Sequence, residues 1–65
     1  MEKGTAIERG YILEATAEGY RVASYDRVGI ETPPIRPIND NAYTKGDMVY
    51  FFLFPDGTGK IICGA

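Results

Sequence analysis

The sequence predicts an all-β domain, a small five-stranded barrel of the OB-like or SH3-like kind. Three observations carry that prediction. Glycine and proline punctuate the chain every eight to twelve residues, the spacing of short strands joined by turns. Met48 to Phe54 (MVYFFLF) is an unbroken run of seven apolar or aromatic residues, followed by Pro55-Asp56-Gly57-Thr58-Gly59, a tight hairpin connection. At 65 residues the chain buries little surface, and barrel closure protects the strand edges that so small a sheet would leave open.

Arg9 to Thr16 (RGYILEAT) reads as the first strand, with Tyr, Ile, Leu and Thr suited to a pleated surface and Ala17-Glu18-Gly19 as its stop. A helix is the rival, since Ile7, Tyr11 and Ala15 fall four apart. Gly10 would cost that helix about 1 kcal/mol relative to Ala and no clean cap precedes it, so a strand is favoured. Tyr20 to Tyr25 (YRVASY) is the second strand, hairpinned to the first, with Tyr20, Val22 and Ser24 on one face and Arg21, Ala23 and Tyr25 on the other. After a turn at Asp26-Arg27, Val28 to Thr32 reads as a third short strand or bulged edge. Three prolines within residues 33–37 exclude a helix or a central strand there and favour an extended, polyproline-like edge. Asn39-Asp40-Asn41 is a polar loop whose side chains suit turn hydrogen bonds. Lys45-Gly46-Asp47 turns the chain into the Met48–Phe54 strand, and Lys60 to Cys63 returns beside it antiparallel, closed by Gly64. Residues 1–8 form an N-terminal segment and 9–64 a single barrel domain.

The aromatic strand poses the main functional question. A strand with one face on a core should alternate apolar and polar. If Val49, Phe51 and Leu53 fill the barrel, then Met48, Tyr50, Phe52 and Phe54 point outward together. Either the N-terminal segment or the proline loop covers that row, or the row is an assembly interface.

Composition narrows the chemistry. Seven Lys and Arg stand against nine Asp and Glu, a net charge of −2, and no two of the cations are adjacent. A nucleic-acid binder normally gathers its cations into a basic face, because counterion release from phosphates drives its affinity. With no histidine and a single cysteine, an internal disulfide is impossible and a zinc site would have one soft ligand at most. The common nucleophile–base pairs cannot be assembled. No stretch approaches the length of a transmembrane helix, and Met1-Glu2-Lys3-Gly4-Thr5 has neither the basic start nor the apolar run of a signal peptide. An unpaired Cys63 suits a reducing compartment and reads as a small buried apolar residue.

Other groupings have ordinary explanations. Asp26, Glu31, Asp40, Asp47 and Asp56 stand in or near turns, and Asn39-Asp40-Asn41 lacks the alternating oxygen ligands and internal glycine of a calcium loop. Gly57-Thr58-Gly59-Lys60 is no phosphate loop, because its lysine opens a strand instead of a helix. Tyr20 and Tyr25, with Arg21 and Arg27 beside them, are the candidate contacts for a single-stranded nucleic acid stacking on an OB surface, although Glu18 and Asp26 offset their charge.

Gly10-Tyr11-Ile12, Gly19-Tyr20-Arg21-Val22, Thr32-Pro33-Pro34-Ile35, the run from Lys45-Gly46-Asp47 through Phe54, and Ile61-Ile62-Cys63-Gly64 together resemble the OB-fold barrel of phage tail spike and baseplate hub proteins, relatives of the type VI secretion spike. In that family a Gly-Asp turn enters a long strand, and a short acidic-glycine loop leads to a closing strand ending in Gly. The resemblance covers about Arg9 to Gly64. It departs from the pattern at Gly59-Lys60, where the family usually has proline, in lacking tryptophan, and in having no needle-like β-helix or lysozyme-type domain after the barrel.

The expected protein is a non-enzymatic structural or assembly module without a cofactor. Its partners would be other tail or baseplate-type proteins or a second copy of itself, with Met48, Tyr50, Phe52 and Phe54 as the contact row. The setting implied by the resemblance is the bacterial cytoplasm or a virion tail. A single-stranded nucleic-acid binder and a small peptide-binding or regulatory barrel are the alternatives, the latter using the Pro33-Pro34 edge or the aromatic strand.

Overall fold

The computed structural model describes residues 7–65 and is built entirely of strands and turns there. The strands are β1 (Glu8–Thr16), β2 (Gly19–Ser24), β3 (Arg36–Pro37), β4 (Met48–Leu53) and β5 (Gly59–Gly64). They form one strongly curled sheet in the order β2-β1-β4-β5-β3, all pairs antiparallel except β3 with β5. The predicted all-β, barrel-like fold is therefore the observed one.

The two ends of the sheet meet. Tyr20 on β2 and Ile35, just ahead of β3, exchange backbone hydrogen bonds of 2.8 and 2.9 Å. Gly19 makes this seam possible. Its φ is +142°, and a Cβ there would lie 2.5 Å from the Ile35 carbonyl oxygen, so only glycine fits. Gly10 is the second place where a side chain has no room: its Cβ would meet the Ala23 carbonyl oxygen at 2.4 Å, which lets β2 lie close over β1.

β1, β2, β4 and β5, and the segment leading into β3, each give at least one side chain to the core. Ile12, Val22, Ile35, Val49, Phe51 and Ile61 are buried together, with Tyr20, Tyr43 and Leu53 packed against them. The alternation predicted for β4 is observed over its first four residues, where Val49 and Phe51 are fully buried and Met48 and Tyr50 are exposed; beyond them Phe52 and Leu53 are both half-buried, Leu53 against the core.

One expectation is narrowed and one is corrected. Of the two forms expected for Val28 to Thr32, the structure shows an irregular edge and no regular strand: the segment begins as a turn, with Val28 97 % exposed and Gly29 at φ +85°, and then meets β2 through the isolated Ala23–Glu31 bridge. Its Ile30 and Thr32 satisfy the β2 edge. Thr32 N–H donates to the Val22 carbonyl at 2.8 Å, Ser24 N–H to the Ile30 carbonyl at 3.0 Å, and Val22 N–H to the Thr32 hydroxyl at 3.0 Å. Cys63, expected to be buried, is exposed. The β4–β5 register shifts between Tyr50 and Phe51, so that Tyr50 opposes Cys63 while Phe51 opposes Ile61. The extra residue, Ile62, reverses the parity of the strand end and turns Cys63 to the outside.

The proline-rich segment forms an edge, as its composition predicts. Arg36–Pro37 runs parallel to Lys60–Ile61, and Ile38 N–H donates to the Ile61 carbonyl at 2.9 Å. The segment closes the seam and leaves the outer row of β4 uncovered. Cover by the N-terminal segment falls largely outside the described residues; of its last two positions, Ile7 is exposed and Glu8 begins β1.

Candidate functional site

The outward side of β1, β4 and β5 gathers a contiguous group of exposed apolar side chains, while Val28, Ile38 and Ile7 are exposed outside the strands. Met48 and Phe54 are 45 % and 44 % exposed, Tyr50 is 37 % exposed, and Phe52 is half-buried with its ring 5.3 Å from that of Phe54. Strand pairing adds neighbours that the row alone does not reveal. Tyr11 stands opposite Met48, Arg9 opposite Tyr50 on one flank, Cys63 opposite Tyr50 on the other, and Lys60 opposite Phe52. Tyr25 joins at the margin, its ring 5.1 Å from that of Tyr11. The four residues of the predicted row are thus brought together on one side and extended by two tyrosines. Alternation within β1, where Gly10 and Ile12 are buried and Arg9 and Tyr11 are not, was the signal that could have placed Arg9 and Tyr11 there; which strand lies beside β4 was not readable.

The cations of this face are Arg9 and Lys60. Arg9 approaches Asp26 at 3.7 Å with both side chains well exposed, a geometry that binds neither charge firmly. Lys60 makes no ion pair with any other described residue.

Tyr20, Arg21, Tyr25 and Arg27 are not gathered. The Tyr20 ring turns inward, edge-on to Tyr43 at 5.7 Å, and its hydroxyl accepts the Tyr43 N–H at 3.0 Å. Arg21 is held between Glu14 at 3.3 Å and Glu31 at 2.8 Å. Arg27 forks onto Glu8, with Nη2 to Oε2 at 2.6 Å and Nε to Oε1 at 3.2 Å. Glu8 is buried and also accepts the Ser24 hydroxyl at 2.8 Å, while that hydroxyl takes the N–H groups of Asp26 and Arg27, each at 3.1 Å. This knot fixes the turn after β2, and nothing in the separated positions Glu8, Ser24 and Arg27 announced it. Tyr25 and Arg27 are exposed, and Tyr25 lies beside Tyr11 at the margin of the outer face.

The turn carboxylates are engaged locally. Asp47 accepts the Thr44 N–H at 2.9 Å, and Asp26 accepts the Arg9 N–H at 3.1 Å. Asp56 accepts both the Thr58 N–H at 3.0 Å and the Thr58 hydroxyl at 2.7 Å, which hold its pKa below the ordinary carboxyl value. Asp40 sits at φ +59°, a left-handed turn position. Among the described residues no three Cys, Asp or Glu side chains group as a metal site.

A hollow of about 220 Å³ lies at the seam, walled by Thr16, Tyr20, Arg36, Pro37, Asp40 and Asn41. Its rim sets a guanidinium near a carboxylate and gives a ligand of one charge no consistent partner. No protein-family model matches the chain, and neither a curated protein nor a solved structure is significantly similar to it.

Proposed function

We propose that this chain is a non-enzymatic contact module, an OB-type barrel that holds another protein on the outer side of β1, β4 and β5. The observation that carries this reading is the row Met48, Tyr50, Phe52 and Phe54, continuous with Tyr11 and Tyr25; among the described residues Met48, Tyr50, Phe54 and Tyr25 are exposed, and Phe52 and Tyr11 are half-buried. Outward aromatic rows of this extent mark surfaces that bind, since a monomeric barrel gains nothing by presenting them to water.

The strand order supports the OB type over the SH3-like one. The ring runs β1–β2, then across the Tyr20–Ile35 bridge to β3, then through a parallel pair to β5, and back by β4 to β1. SH3-like barrels close with antiparallel neighbours throughout. The setting we propose is an assembly of the tail or baseplate kind, and the support for it is the sequence resemblance alone.

The test is the pair of variants Tyr50→Lys and Phe52→Lys, followed by circular dichroism and by sedimentation across concentration with and without candidate partners. Both variants keep the β spectrum and lose association. Unfolding of both would place the row in the interior and remove the reading.

A further inference from the structure

Resting on that reading, we infer that the occupant of the outer face is an amphipathic helix of a partner protein, its apolar stripe flanked on both sides by carboxylates. Width and charge both point to it. From Met48 to Phe52 the row extends about 14 Å along β4, at about 3.4 Å per residue. Arg9 on β1 and Lys60 on β5 lie on opposite flanks of it, two strand spacings or about 10 Å apart across the sheet. A helix is about 10 Å wide, so one laid along β4 covers the aromatic row with its stripe and brings its two flanks over the two cations. An extended strand would send alternate side chains away from the sheet and bring only every second one to the face. Covering a sheet face with a helix is also the ordinary way such a layer is completed, and the described residues contain no helix to do it.

The sign of the charge follows from the same residues. Arg21 and Arg27 are already held by carboxylates, whereas Lys60 has no ion pair among the described residues and Arg9 has only the long contact with Asp26. Two cations, one of them shared, release too few counterions to hold a nucleic acid on a chain of net charge −2, but they are enough to select between helices of opposite flank.

The experiment uses three 18-residue helical peptides with one common leucine stripe and with Glu, Gln or Lys at the flanking positions, titrated into the full chain by fluorescence anisotropy. A thymidine 15-mer is the nucleic-acid control. The Glu-flanked peptide is expected to bind about tenfold more tightly than the Lys-flanked one, to gain helicity on binding, and to fall to the Gln-flanked affinity when Arg9→Gln and Lys60→Gln are combined. Tyr50→Ala and Phe52→Ala, checked for an unchanged β spectrum, weaken all three peptides. Equal affinity for the three peptides, binding in extended form, or a tighter complex with the 15-mer overturns the inference while leaving the face as a contact surface. Binding indifferent to both alanine variants overturns the face itself, and the inference with it. Absence of binding by every peptide also overturns the inference.

Discussion

The hydroxyl of Thr32 takes the hydrogen bond that a strand carbonyl would otherwise accept from the Val22 N–H, and both residues are buried. A buried N–H left without an acceptor costs about 1–3 kcal/mol. Thr32→Val, which keeps the shape and removes the oxygen, is therefore expected to lower stability by that amount in urea unfolding. Thr32→Ser keeps the acceptor and loses about 0.8 kcal/mol for one buried methyl. Equal stability of the valine variant and the parent would show that Val22 has another acceptor. Tyr43 presents the opposite case. Its hydroxyl is buried with no partner among the described residues, so Tyr43→Phe is expected to leave stability unchanged or raise it by up to about 1 kcal/mol, read from the same unfolding midpoint. Neither role is legible in the sequence, where Thr32 is one threonine ahead of two prolines and Tyr43 one tyrosine in a loop. Burial and satisfaction of a polar atom depend on what the fold brings to it from elsewhere in the chain.

Elements differ in how well local chemistry defines them. β1, β2, β4 and β5 were readable as strands because turn residues bound each one, and in β1 alternation also fixes the faces. The stretch from Val28 to Thr32 was readable only as one of two forms, and the irregular edge is the one observed: Ile30 and Thr32 meet β2 through backbone bonds and the Thr32 hydroxyl in place of a regular ladder. The orientation of Cys63 was hidden for a different reason: nothing in Lys60-Ile61-Ile62-Cys63 marks which residue is the inserted one. Two predictions belong to this scale. Gly19→Ala places a methyl against the Ile35 carbonyl at a positive φ, so it should cost more than about 1 kcal/mol and expose the Tyr20 and Ile35 amides to hydrogen exchange before those of β4. The second concerns the β4–β5 turn. Thr58 stabilises ionised Asp56 and lowers its pKa, so the folded state gains from that charge above the ordinary carboxyl range and loses the gain as pH falls through the lowered value. The Thr58 amide resonance should shift on acidification below about pH 4, and Asp56→Asn should abolish that response.

At the scale of the whole molecule, charge arrangement decides what the barrel attracts. The net charge is −2, and Arg21 and Arg27 are each committed to carboxylates, so a titration of single-stranded DNA at physiological salt is expected to show nothing tighter than the roughly 10⁻⁴–10⁻⁶ M of non-specific association. Sub-micromolar binding that weakens with Tyr25→Ala would reverse that expectation. That part of the Met48–Phe54 run must face outward was legible in the sequence, because seven consecutive apolar residues cannot all face one core. Its flanks were not, since Arg9 and Lys60 reach it only through strand pairings that join distant parts of the chain.

The inserted Ile62 has a practical consequence. By turning the single thiol outward opposite Tyr50, it sets a chemically unique atom near the centre of the face. The rate at which iodoacetamide alkylates Cys63 therefore reads the occupancy of that face directly, without any engineered label. A partner seated there slows the reaction, a ligand bound at the seam does not, and unfolding brings the rate to that of a free thiol.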